Sequence, residues 1–328
     1  MKCDISMETP ARRLEQELDR NSHRTERFLP GTVVEVRHWE EIAATLDQNG
    51  TFESLPFMPE MLRYCGRRFT VSKRLERTCE ETEGGMRRIR DTVFLEQLRC
   101  AGLAHGGCQK GCRIFWKEAW LKPLDSRSAS DGERPAKLFP YSVELHGQFI
   151  CQSTELILAT SPIPPWDLWM YARDLRSRTY SPSQLLRILC FAFFLRLRHL
   201  LTGKSYRFVE GRQVKTPSLQ LDLHPGELVR VRSEKEIVST LDQQGKNRGL
   251  AFTVDMLPFC GREYRVLRQL DKMIQEPTGK LIGMENTVIL EGVTCKGCHI
   301  LRGGCPRDNF HFWREIWLER VSSEPRFP

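Results

Sequence analysis

Two stretches of the chain alternate apolar and polar side chains in the same order, 195 positions apart. Each opens with Pro-Gly and a short alternation, Val34 and Val36 in the first, Leu228, Val229 and Val231 in the second. A period of two after a turn predicts a strand. Apolar residues at helical spacing then predict helices over 40–46 and 234–241, closed by turns at Asn49-Gly50 and Gln244-Gly245. A loop leads through Met61–Cys65 to a strand over 68–75, or 263–270 in the second copy. Turn signals at 82–85 and 277–279 predict a hairpin whose return strands run over 92–98 and 287–293. A cysteine-rich loop and a closing strand, 116–121 or 313–318, complete each unit.

The likeness extends to single residues. Residues 31–100 reappear at 226–295 without insertion or deletion, and Thr45-Leu46-Asp47-Gln48 stands opposite Thr240-Leu241-Asp242-Gln243. The copies then drift by two and rejoin at Trp116, Glu118 and Trp120 opposite Trp313, Glu315 and Trp317. Several short strands, one early helix and a hairpin in under 100 residues predict a mainly β (α+β) chain of two tandem small SH3-like barrel modules. The expected layout is an N-terminal arm (1–29), module one (30–122), a partly helical connector (123–223), module two (224–321) and a tail (322–328). Modules this small often need a staple such as a metal.

In the connector, 122–137 reads as a loop, 141–157 has room for two strands, 161–165 is proline-rich and 166–178 reads as a helix with a bulky aromatic face. Ser181 and Pro182 are a cap and a first-turn proline for a second helix. That helix holds the most apolar run of the chain, interrupted by Arg187, Arg196 and Arg198. Its charge-free stretch, 188–195, is far shorter than the roughly 20 residues a membrane span needs. Three readings stay open: a helix lying in a membrane surface over 181–207, one buried between the modules, or one that docks a protein partner.

Charge sharpens this picture. Of the net +8, residues 31–121 hold 14 basic and 13 acidic side chains, whereas 173–215 holds ten basic residues against Asp174 and Glu210. The positive field belongs to the connector, and it suits phosphate-rich partners, lipid headgroups before nucleic acid. Residues 1–30 lack the apolar segment of a secretion signal. The expectation is a cytoplasmic protein, with attachment to the periphery of the inner membrane as an option. In that reducing setting, metal or reactive thiols outrank disulfides for the 12 cysteines.

Cys65, Cys100 and Cys108 correspond to Cys260, Cys295 and Cys305. Each module adds a fourth cysteine at a different place, Cys112 in the first and Cys298 in the second. A tetrahedral site tolerates such a shift, so the expected ligands are Cys65, Cys100, Cys108 and Cys112 for one zinc and Cys260, Cys295, Cys298 and Cys305 for another. An iron–sulfur cluster is the alternative cofactor, and buried free thiols are the plain one. His105, His299 and His311 lie near enough to replace a cysteine, which leaves the fourth ligand open. Cys3, Cys79, Cys151 and Cys190 have no counterparts and are expected to be structural. Arg67 and Arg262 either neutralise a metal site or sit on the surface.

There is no glycine-rich phosphate loop, His-Glu-x-x-His or Gly-x-Ser-x-Gly, so no catalytic residues are assigned. On a strand, the Trp-x-Glu-x-Trp residues would share one face, either in the core or lining a groove. The blocks Pro225–Val231, Met256–Gly261, Val288–Cys295, Cys305–Arg307 and Trp313–Leu318 resemble those of an uncharacterised bacterial family with a duplicated cysteine-containing module. The resemblance is close across module two, good across module one and loose in the connector. It implies no established activity, only company with genes of glycan or specialised-metabolite biosynthesis. The expectation is therefore a zinc-stabilised two-module binding or accessory protein, serving a biosynthetic pathway, rather than an enzyme. An iron–sulfur redox accessory and a nucleic-acid-binding protein stand as alternatives.

Overall fold

The computed structural model describes residues 28–80, 85–124, 139–164, 166–203, 205, 207–297 and 303–321. The arm up to residue 27, the loop at 125–138, the tail after 321, the turn at 81–84 and Cys298 and His299 lie outside the described residues.

The chain is mainly β, built on two antiparallel sheets. In the first, β1 (Val33–Val36), β2 (Arg68–Cys79), β3 (Met86–Leu95), β4 (Trp116–Lys117), β5 (Leu121–Pro123) and β6 (Ser161–Pro162) run in the order β6-β3-β2-β1-β5, with β4 also on β3. In the second, β7 (Leu228–Val231) and β8 (Glu263–Gln269) are followed by a small hairpin, β9 (Lys272–Ile274) and β10 (Leu281–Gly283). Then come β11 (Thr287–Thr294), β12 (Phe310–Arg314) and β13 (Leu318–Arg320), and the sheet order is β12-β11-β8-β7-β13. The registers match: Val33 faces Thr70 as Leu228 faces Arg265, and Val36 faces Leu121 as Val231 faces Leu318.

The shared motifs have mechanical reasons. Asp47 accepts from the backbone N–H of Asn49 and Thr51, and Asp242 from those of Gln244 and Lys246, which closes the turn after each short helix. Thr45 and Thr240 take the indole N–H of Trp120 and Trp317 at 3.2 and 3.0 Å. Those tryptophans, with Trp116 and Trp313, are fully buried in the two cores, so no groove is lined by them. The closing strand is not continuous: Glu118–Trp120 and Glu315–Trp317 are single 3-10 turns. The turn sends each glutamate inward, where Glu118 accepts from the N–H of Phe28 and Glu315 from those of Leu221, Asp222 and Leu223.

The connector joins the modules more than it separates them. Cys151 and Leu156 belong to the first core, and Gln152 bridges Pro56 and Phe115 there. The span 141–157 holds a two-stranded hairpin (Glu144–Leu145, Gln148–Phe149) and a 3-10 turn (Glu155–Ile157). Helix α2 occupies Trp169–Arg176 and α3 Pro182–Thr202, after α1 (Trp39–Ala43) and before α4 (Glu234–Val238). Ser181 caps α3 with Gln184, and Gly203 ends it in the left-handed region.

A seam holds the modules together. Glu276 accepts from Lys110 Nζ at 2.9 Å and from both terminal nitrogens of Arg307. Arg307 also donates to Cys79 O and Ser153 Oγ. Arg77 and Asp174 form a second buried pair at 2.8 Å, and Arg77 reaches Gly303 O. Burial alone would raise the Glu276 pKa, but Arg307 and Lys110 outweigh it and hold the carboxyl down at about 2. A depressed folded pKa contributes stability that is complete above the unfolded value of 4.5 and fades as pH falls toward 2. Glu276→Gln is expected to cost about 3 kcal/mol at neutral pH, because two cations stay buried without their anion. Urea unfolding checks this, and the gap between variant and wild type should close over that acidic window. Equal stability at pH 7 would remove the seam from the account.

Candidate metal centre

The first two residues of each site come from matching places. Glu60 and Asp255 sit in the first turn of 3-10 helices Pro59–Tyr64 and Val254–Phe259, both buried. Cys100 and Cys295 follow the return strand, and their N–H groups bond to Cys112 O and Asn309 O, both at 2.8 Å. The loops beyond must turn back at once. Gly102 and Gly297 do this with φ of +69° and +66°, and a Cβ at Gly102 would strike Cys108 O.

Two groups result that could hold a metal ion: Glu60, Cys100 and His105, and Asp255, Cys295 and His311. In the first, Cys100 Sγ donates to Glu60 Oε1 at 3.0 Å and lies 3.3 Å from His105 Nε2. In the second, Cys295 Sγ donates to Asp255 Oδ2 at 3.4 Å. Ligands on a tetrahedral zinc stand about 3.4 Å apart for bonds near 2.1 Å, so these spacings suit one shared ion. Glu60 Oε2 and His105 Nδ1 are buried and make no hydrogen bond.

The electrostatics argue against a nucleophile. Burial pushes the Cys100 thiol well above its ordinary range, and Glu60 beside it pushes further. Burial lowers the His105 pKa, with Glu60 opposing. A reactive cysteine needs the reverse, a cationic neighbour that lowers its pKa. A metal cation at this site would bind thiolate, carboxylate and neutral imidazole together.

Of the eight cysteines expected as ligands, the two groups contain Cys100 and Cys295, and Cys298 lies outside the described residues. Cys65 and Cys260 are the second residue of a tight turn, with Gly66 and Gly261 taking positive φ after them. Burial, then Glu40 and Glu234 respectively, raise their thiols to about 12 and about 11. Neither belongs to a metal group. Cys108 and Cys112 line the same cavity as Cys100, Glu60 and His105, and Cys151 joins them there. Cys305 is bonded to Cys79 in a disulfide with Cα atoms 5.8 Å apart. Cys305, expected as a metal ligand, is thus held by a disulfide instead, and Cys79 is structural as its partner. The bond crosses the seam, so a reading one module at a time could not find it. Arg67 and Arg262 are exposed and take the surface alternative.

Glu60 and Asp255 were missed, although an acid one residue before Met61 and Met256 was visible in both copies. His105 and His311 were flagged only as substitutes. They reach the site from different directions: His105 from the cysteine loop, His311 from β12, two residues before Trp313. The first module has Ile114 two residues before Trp116.

Comparisons with protein-family models, curated proteins and solved structures find no match to this chain. Cys100→Ala and Cys295→Ala are each expected to remove one equivalent of bound metal, while Cys65→Ala and Cys260→Ala retain both. Elemental analysis of the folded variants decides between this grouping and four thiolates.

Proposed function

We propose that the chain is a binding or accessory protein whose two SH3-like modules each hold one zinc ion. One observation carries the reading. The same trio of carboxylate, thiolate and imidazole recurs in both modules, although the histidine comes from a loop in one and a strand in the other. Retaining ligand chemistry while changing its source is what selection for an ion would leave. Imidazole with thiolate favours zinc over calcium or magnesium. One thiolate per group disfavours an iron–sulfur cluster, which calls for four. The near-neutral charge of the modules weighs against nucleic acid as their ligand.

A specific asymmetry favours a second role for module two. Cys295 and His311 line a pocket of about 310 Å³ with Arg207, Arg307 and Asn309. Three protein ligands leave a fourth position for water or a ligand atom. In this reading module one is held by its ion and module two presents its ion to a partner molecule.

The purified protein is expected to be colourless, with two zinc ions per chain. Metal uptake should release protons and weaken as pH falls, by about tenfold per pH unit for each proton displaced. Competition with a chelator between pH 6 and 8 measures that slope. Brown protein bleached by dithionite would replace zinc with iron–sulfur, and metal-free folded protein would end the reading altogether.

A further inference from the structure

Helix α3 has two apolar faces, and only one is covered. Leu185, Ile188, Ala192 and Leu195 are buried. They form one stripe at helical spacing. Ile188 and Ala192 pack on Gly303 and Gly304 of the second cysteine loop, where a Cβ at Gly303 would lie 3.1 Å from Ala192 Cβ. The opposite face is exposed and larger: Leu186, Phe193, Phe194, Leu197, Leu200 and Leu201, with Phe193 at 67% and Leu200 at 80%.

The geometry points to α3 as a helix that lies in the surface of an anionic lipid bilayer. At roughly 100° per residue, the six exposed apolar side chains fall within a sector of about 120°. Arg196 borders that sector on one side, and Arg187 and Arg198 border it on the other. Apolar residues sink to the acyl boundary while flanking arginines meet headgroup phosphates. The helix carries no Asp or Glu, so nothing on it repels an anionic surface. Trp166 and Trp169, ahead of and at the start of α2, are 80% and 76% exposed, and tryptophan favours the headgroup level. Asp174, the acid of α2, is buried on Arg77.

Charge also decides against a second copy of the chain as occupant. Two such faces packed together would bring arginine borders against arginine borders, with no acid on either helix to offset them. Among the described residues no helix is long and apolar enough to cross a membrane, so attachment is to one leaflet. This inference does not rest on the metal reading, and zinc content should be the same with and without lipid.

The test uses the full chain and vesicles of equal parts phosphatidylglycerol and phosphatidylcholine, beside vesicles of phosphatidylcholine alone. Sedimentation with the anionic vesicles is expected, weakened by salt, with a blue shift of tryptophan emission. Phe193→Ser with Phe194→Ser should weaken binding at least about tenfold. Arg187→Gln with Arg196→Gln should weaken it by about fivefold per arginine. Phe193, Phe194 and Arg187 are exposed and Arg196 is half-buried, and circular dichroism with zinc content verifies the fold. The inference is overturned if wild type ignores anionic vesicles, if it binds both kinds equally, or if the phenylalanine variant binds like wild type. Light scattering that shows a dimer dissolved by the same variant, with no vesicle binding, would assign the face to a second copy instead.

Discussion

Burying the Glu276 carboxylate between Lys110 and Arg307 is the constraint on which the rest of the architecture hangs. A carboxylate out of water survives as an anion only where cations are fixed beside it. Lys110 stands between Cys108 and Cys112 on one cysteine loop, and Arg307 stands two residues past Cys305 on the other. One anion therefore fixes both loops at once. Through Cys79 O and Ser153 Oγ, Arg307 also ties in the end of β2 and the connector. The seam in turn decides which cysteines can meet. Cys108 Sγ accepts from Ile274 N at 3.3 Å, and Cys305 is bonded to Cys79. Position 274 is the counterpart of 79 and 305 that of 108, so the two contacts are the same contact made twice. One of them acquired a second sulfur.

The modules thus keep the backbone and redistribute the side chains. Cys112 and Asn309 present their carbonyls identically to Cys100 and Cys295. Yet only the first brings a thiol, and burial pushes that thiol up despite Lys110 and Arg307. The two groups that could hold a metal show the same economy. A carboxylate on a 3-10 turn and a thiol after the return strand are held by the shared fold. The histidine is free to come from whichever segment reaches.

Legibility in the sequence followed the range of the forces. The strands, the hairpin of module two, the Asp47 and Asp242 turns and the cap at Ser181 are local and were readable. The 3-10 turns at Glu118 and Glu315 were not, because Trp-x-Glu-x-Trp fits a strand period equally well and only the buried N–H groups waiting for each glutamate decide it. For the site, Cys100 and Cys295 were legible through the repeat. Cys65 and Cys260 lie outside both groups, and the glycine repeated after each answers to a turn that needs positive φ. The acids give no such signal, because Glu60 and Asp255 stand among 42 carboxylates in the chain. The Cys79–Cys305 bond depends on how two modules dock, which no local pattern encodes.

Helix α3 shows why a pattern apolar all round was ambiguous. Such a helix is buried on every side, lies against lipid, or divides its faces between the two. The division here has a cause in its partner. Gly303 and Gly304 offer a contact only as wide as two residues without side chains, so Ala192 can approach and Ile188 can cover it. A strip that narrow cannot shelter Phe193, Phe194 or Leu200 as well. The same loop carries Cys305 and Arg307 immediately beyond those glycines. The helix is thereby packed on the segment that closes the seam, where Arg77 also donates to Gly303 O.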